Sequence, residues 1–236
     1  IYDSMAASIL NKEALEQKEY DYVFVSDFFD DQLTGGAELS LGTLMKASPG
    51  EYARYNSNEI NEGLIKKLKD KYWIFGNITQ MDPACVSLLS ENKIAYSVVE
   101  FDYKFCKYRN LVLHKALEGQ DCDCSESDHG KVIKEYLASA DHVFFMSNAQ
   151  RDIHIEHMGL KKSKCSTLSS VFDEETLNKI SQLREEYENK KQDVWVTTGS
   201  PSWVKGAEQA EKWCIENNKQ FVKVHGRSYL ETLEIK

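Results

Sequence analysis

Short apolar runs alternate with amphipathic stretches along most of the chain. Residues 22–26, 72–75, 94–99 and 142–146 are continuous apolar runs of strand length, and 194–196 and 221–224 form a further pair. Runs without polar alternation are expected of strands covered on both faces. Helical patterns lie between them. Residues 59–69 set Ile60, Leu64, Ile65 and Leu68 on one stripe; 83–91 open with Asp82 as N-cap and Pro83 in the first turn. Residues 131–138 carry Val132, Ile133, Tyr136 and Leu137, and 207–217 precede the last strand. Alternating strands and helices predict βαβ units, a parallel sheet and right-handed crossovers. Ligands of such sheets bind beyond the carboxyl ends of the strands. The loops after Ser26, Phe75, Val99, Met146 and Thr198 are therefore where chemistry is expected.

A boundary is expected after Asp173. Residues 174–191 form a charged amphipathic pattern (Leu177, Ile180, Leu183), followed by a new strand. The expected division is 1–173 as a first domain, 174–192 as a linker helix and 193–236 as part of a second domain. The last piece holds one β-α-β unit and a helical tail, too little for an independent doubly wound domain.

Composition narrows the function classes. The 236 residues include 42% hydrophobic and 28% charged positions, enough for a real core, and only 12 Gly and 3 Pro, few for a linker-rich chain. Lys and Arg number 29 against 38 Asp and Glu, a net charge of −9, which argues against a nucleic-acid partner. No apolar run approaches the ~20 residues that cross a bilayer, so no transmembrane segment is expected. The opening Ile1-Tyr2-Asp3-Ser4 has neither a basic nor an apolar leader region. Six cysteines are too sparse for a disulfide scaffold, and a reducing, cytoplasmic compartment is expected.

Candidate chemistry sits in four places. Gly35-Gly36-Ala37-Glu38 follows the first strand, where two glycines and a helix N-terminus suit an anion; a plain turn is the simpler reading of the pair. It matches neither dinucleotide spacing nor a phosphate-binding Gly-Lys-Ser/Thr element. Residues 197–206, with Gly199, Lys205 and Gly206, again join a strand to a helix. A lysine at that helix N-terminus is unfavourable by about 0.3–1 kcal/mol and makes sense beside a bound anion, although a solvated lysine is an equal reading. Trp203 there suits stacking on a ring or sealing of a core. Lys104, Lys107 and Arg109 form a basic island in an acidic chain, for which solvated charge is the plainer reading. Cys106, Cys122 and Cys124 with His114 or His129 have the residue types of a zinc site. Cys-x-Cys departs from the usual Cys-x2-Cys hairpin, so structural thiols are preferred over a metal or a disulfide. Ser147 is a helix N-cap, Arg151 sits near the cleft or on the surface, and His154 and His157 are surface or helix-packing residues.

The order of these motifs resembles family 4 glycosyltransferases. The series is Gly35-Gly36-Ala37-Glu38, then residues 140–152 (Ala-Asp-His-Val-Phe-Phe-Met-Ser-Asn-Ala-Gln-Arg-Asp), then Gly199 with Lys205-Gly206. The resemblance spans roughly residues 22–225. It implies an α/β protein of GT-B type, a Rossmann-like parallel-sheet domain followed by a partial second Rossmann-like domain. It also implies a hexosyl transfer from a nucleotide sugar to an acceptor with retention, without a metal or other cofactor. By the same resemblance Gly35 and Gly36 would contact donor phosphates or the acceptor, and Lys205 would neutralise the leaving diphosphate. Glu100, Asp102, Lys104, Arg109 and Arg151 are acceptor-side candidates. The chain departs from the family pattern at Ser200, where Arg is usual, at Glu100-Phe101-Asp102, where a His often stands, and in having no Glu-x7-Glu region. A truncated second domain without turnover is one expectation. The alternative is a non-catalytic nucleotide- or glycan-binding module that self-associates through an incomplete sheet.

Overall fold

The structure is a computed structural model that describes residues 20–188, 194–200, 205–224 and 229–235. Six parallel strands form the main sheet: β1 (Tyr22–Ser26), β2 (Tyr52–Asn56), β3 (Tyr72–Phe75), β4 (Tyr96–Glu100), β5 (His142–Phe145) and β6 (Cys165–Thr167), in spatial order β2-β1-β3-β4-β5-β6. The helices are α1 (Gly36–Lys46), α2 (Glu62–Lys67), α3 (Ala84–Glu91), α4 (Leu111–Glu118), α5 (Asp128–Ser139) and α6 (Asn148–Met158). The chain leaves β1 towards β2 on one side, then crosses back over β1 to β3 on the other. That reversal makes the β1/β3 edge a topological switch point.

One face of the sheet is dry. Val23, Val25, Trp73, Phe75, Tyr96, Val98, Val143 and Phe145 are all buried there with Ile65, Leu89, Tyr136 and Met158. Phe75 meets Tyr96 and Tyr136 edge-on at centroid distances of 5.5 and 5.8 Å, geometry that aromatic quadrupoles favour. The other face is thinner. Phe24, Leu41 and Met45 close it near α1, with Ile74 only partly buried. The strands were expected to be covered on both faces; β3 and β5 instead alternate buried and half-buried positions, since among the described residues the second apolar cluster is built on Phe24, Phe29 and helix α1.

Side-chain caps set several helix starts. Asn61 accepts from the Leu64 amide, Asn110 from Leu113, Ser127 from Gly130 and Ser147 from Gln150. The pattern over 59–69 resolves into a short turn, Ser57–Glu59, and then α2, and α5 starts three residues before its pattern. Two edge strands escaped the hydrophobic pattern. β2 reads Tyr-Ala-Arg-Tyr-Asn and β6 has three residues.

After α7 (Glu174–Tyr187) a second parallel pair follows, β7 (Trp195–Thr198) and β8 (Phe221–Val224), joined by α8 (Ala207–Glu216), with α9 (Tyr229–Ile235) at the end. Lys179 of α7 pairs with Glu234 of α9 at 2.7 Å. Trp195, Val196, Trp213, Ile215 and Val222 are exposed on this unit. Among the described residues no helix is long and apolar enough to cross a membrane.

Candidate functional site

The β1/β3 switch point gathers polar residues from three loops. Asp27 directly follows β1 and is buried. It accepts hydrogen bonds from the Ser57 hydroxyl at 2.5 Å and from the Thr79 and Gln80 amides at 2.9 and 3.0 Å. Burial works to raise its pKa, but these donors outweigh it and hold the carboxyl below the ordinary value. Asp27 thus ties the β1 loop to the β3 loop as a fixed carboxylate.

Arg109 enters the same crevice from the segment after β4. One guanidinium nitrogen donates to Asn77 Oδ1 at 2.8 Å and pairs with Asp102 at 2.7 Å; another donates to the Thr79 hydroxyl. The residue has φ 53°, a left-handed conformation seldom adopted outside glycine and asparagine. Among the described residues Arg109 Nε and Asp102 Oδ1 are buried without a hydrogen-bond partner. Burial pushes the Asp102 carboxyl up, against the pull of Lys104 and Arg109 and with help from the Glu100 charge.

The glycine pair opens α1. Gly35 is its N-cap in extended backbone, and the Glu38 carboxylate lies over Gly35, where a Cβ would collide with it. Glu38 folds back on its own amide at the positive end of the helix. Burial raises its pKa, the Asp27 charge adds to this, and Arg109 opposes it. Gly36 differs, since a Cβ there would meet open space. The backbone of α1 is therefore approachable at Gly36, while Glu38 already occupies the part of the helix end nearest Gly35.

The other acceptor-side candidates separate. Glu100 and Lys104 are not on the surface: they form a 2.9 Å ion pair with side chains 0% and 4% exposed. The solvated-charge reading of the basic island fails for Lys104, because the chain turns back within four residues and places the ammonium beneath the site. Gln150 of α6 donates to the Glu100 and Asp102 carbonyls at 3.2 and 2.8 Å and holds this turn against the sheet. His154 is likewise fully buried, with Nε2 3.9 Å from Glu100 and its ring stacked on Tyr103 at 5.3 Å. His157 stacks on Phe105. Arg151 pairs with its neighbour Asp152 beside β5.

Gly199, Lys205 and Gly206 belong to the second unit: Gly199 follows β7, and Lys205 and Gly206 precede α8. The Gly199 amide donates to the Val224 carbonyl at 2.7 Å. Lys205 is exposed and immediately precedes Gly206, the left-handed N-cap of α8. Residues 201–204, including Trp203, lie outside the described residues.

The structure thus brings Gly35, Gly36, Glu38, Asp102 and Arg109 to one edge and sets Glu100 and Lys104 under it. Asp27, Asn77 and Thr79 belong to the same crevice and escaped sequence reasoning. Their signal was positional: each stands within four residues of the end of β1 or β3. No protein-family model matches the chain, and no curated protein matches its sequence.

Proposed function

We propose that the chain is the acceptor-side domain, with part of the donor-side domain, of a GT-B glycosyltransferase that moves a hexosyl group from a nucleotide sugar with retention. The observation that carries this reading is the crevice at the β1/β3 switch point. There the open backbone of Gly36 stands at the same strand ends as the Arg109–Asp102 ion pair, the edge where ligands of such sheets bind. Arg109 brings a cation to this edge, its fork held by Asn77, Thr79 and Asp102, so a phosphate or sugar hydroxyl would bind by exchanging with one of these partners. Glu38 and Asp102, both with raised pKa, are the carboxyls in the crevice able to keep or exchange a proton. On the second unit Lys205 and the start of α8 would stabilise the diphosphate as negative charge develops on it, so no metal is required for the transfer.

Isothermal titration with UDP and GDP tests the reading. Saturable binding of one of them, weakened about tenfold or more in Arg109→Ala or Lys205→Ala, supports it. Absence of binding at millimolar nucleotide counts against it. A second reading, a non-catalytic assembly module, is favoured by the exposed Trp195, Val196 and Val222 of the two-stranded sheet. Nucleotide binding without sugar transfer, together with a self-associated species in light scattering, selects that reading.

A further inference from the structure

Between β4 and α5 the chain makes an excursion of 27 residues, 101–127, that contains one regular helix, α4. The one fully buried apolar ring of this excursion, Phe105, sits in the core of the main sheet, and beyond it the excursion forms little apolar core of its own. Of the eight residues of α4 only His114 is buried, while Val112 and Leu117 are 77% and 56% exposed. What converges at its centre is three thiols and one imidazole.

Cys106 lies in the turn before α4, with its amide bonded to the Tyr103 carbonyl. His114 follows the Asn110 N-cap by one helical turn, and Cys122 and Cys124 return after the left-handed Gly119 ends α4. The sulfurs of Cys106 and Cys124 each stand 3.6 Å from His114 Nδ1. All four ligand atoms, Cys122 Sγ included, lie within 4.8 Å of one another. Tetrahedral zinc with bonds of ~2.3 Å to sulfur and ~2.0–2.1 Å to nitrogen sets S···N edges of ~3.6 Å and S···S edges of ~3.8 Å. The sulfur–imidazole spacings already match, and the widest separation needs to close by about 1 Å.

The surroundings hold these groups in place. The Cys124 carbonyl accepts from the Ser127 hydroxyl at 2.7 Å, and that hydroxyl accepts from the Gly130 amide at 3.0 Å. Gly130 is packed so closely on the Cys124 carbonyl that any side chain would collide with it. His129 is turned away from the cluster, with Nε2 bonded to the Lys104 carbonyl at 2.8 Å. This selects His114 as the imidazole ligand. The six cysteines are all free thiols, and the three in the cluster come from two separate turns, so each thiol can contribute its own ligand.

We propose that Cys106, His114, Cys122 and Cys124 form a structural Cys3His zinc site that staples this excursion. All four positions are filled by protein groups, which marks a closed, non-catalytic centre. Cys106 lies two residues after buried Lys104 and three before Arg109, so the metal fixes the segment that delivers Arg109 to the crevice. The site stands independently of the transferase reading.

The test is the metal content of the full chain, purified under reducing conditions and measured by mass spectrometry of the elements. About one zinc per chain is expected. Cobalt substitution is expected to give thiolate charge-transfer bands in the near ultraviolet and strong tetrahedral bands in the red. Cys124→Ser and His114→Gln should lower bound metal by at least about tenfold, while Cys85→Ser and Cys214→Ser should leave it unchanged. The cobalt spectrum of the unmutated chain decides the matter even where a variant fails to fold. A metal-free chain with six titratable thiols overturns the proposal, as does a disulfide within the cluster or cobalt bound without sulfur ligation.

Discussion

The six-stranded sheet and the excursion after β4 are built on opposite principles. The sheet is held by non-directional apolar burial: Trp73, Phe75, Val98 and Phe145 are 0% exposed and belong to one apolar cluster. The excursion is anchored in that cluster by Phe105, its one fully buried apolar ring, and is otherwise held by directional polar contacts, namely the Glu100–Lys104 pair, the Gln150 bridge, the Arg109 contacts and the thiol–imidazole cluster. The first arrangement tolerates small changes of shape and forms wherever apolar runs recur. The second depends on each partner being present, because an unmatched buried polar group costs more than the bond contributes. The crevice lies at their seam, with rigid loop ends from the sheet on one side and Arg109 from the excursion on the other.

The contrast can be broken hardest in the sheet. Trp73→Ala removes a fully buried ring stacked on Phe75 and is expected to cost about 3–5 kcal/mol by urea unfolding, with loss of structure throughout the main sheet. Lys104→Met leaves Glu100 buried without its cation and is expected to cost about 3 kcal/mol. Adding Glu100→Gln should recover most of that loss, as no apolar truncation could. Arg109→Lys keeps the charge but loses the fork. It should weaken ligand binding about tenfold, or about 1.4 kcal/mol, and lower stability in urea unfolding by about 1 kcal/mol, because Lys cannot keep the bonds to both Asn77 and Thr79.

Acid should separate the two regions as well. Burial lowers the pKa of His154 in the fold, against the raising pull of Glu100 and Asp102 and with the help of Lys104. The unfolded chain then takes up the proton first, so stability falls as pH drops below about 6.5, the unfolded value. His154→Phe should flatten this part of the stability–pH curve, measured by urea unfolding between neutral and mildly acid pH. The smallest effect is expected at the N-cap of α7. Hydrogen bonds from Lys46 and Thr176 pull the Asp173 carboxyl down to about 2, and Asp173→Ala should cost about 1 kcal/mol.

These two principles also explain what could be foreseen from residue order. Val23-Phe24-Val25 and Val143-Phe144-Phe145 announce strands because apolar periodicity is local, and Ser147 announces its helix start for the same reason, whereas Asn110 and Ser127 cap helices whose starts no pattern marked. β2 stays hidden because an edge strand with Arg54 and Asn56 carries little hydrophobic pattern. Lys104 resembles a solvated cation because its burial depends on Gln150 and on the sheet beneath it. Arg109 reaches Asn77 and Thr79 across 32 and 30 positions, a span that periodicity does not report. The cysteine cluster was visible as residue types, but its Cys-x-Cys spacing lacks a familiar hairpin; the convergence appears only once Asn110 and Gly119 fix the ends of α4.

The central claim is that the β1/β3 crevice, completed by Arg109, binds a sugar-nucleotide-type ligand. Amide chemical-shift mapping during titration of the full chain with UDP and GDP tests it most directly. Saturable shifts at Gly36, Thr79 and Arg109, lost in Arg109→Ala, are the expected result; shifts confined to residues remote from that edge, or none at millimolar nucleotide, would contradict it.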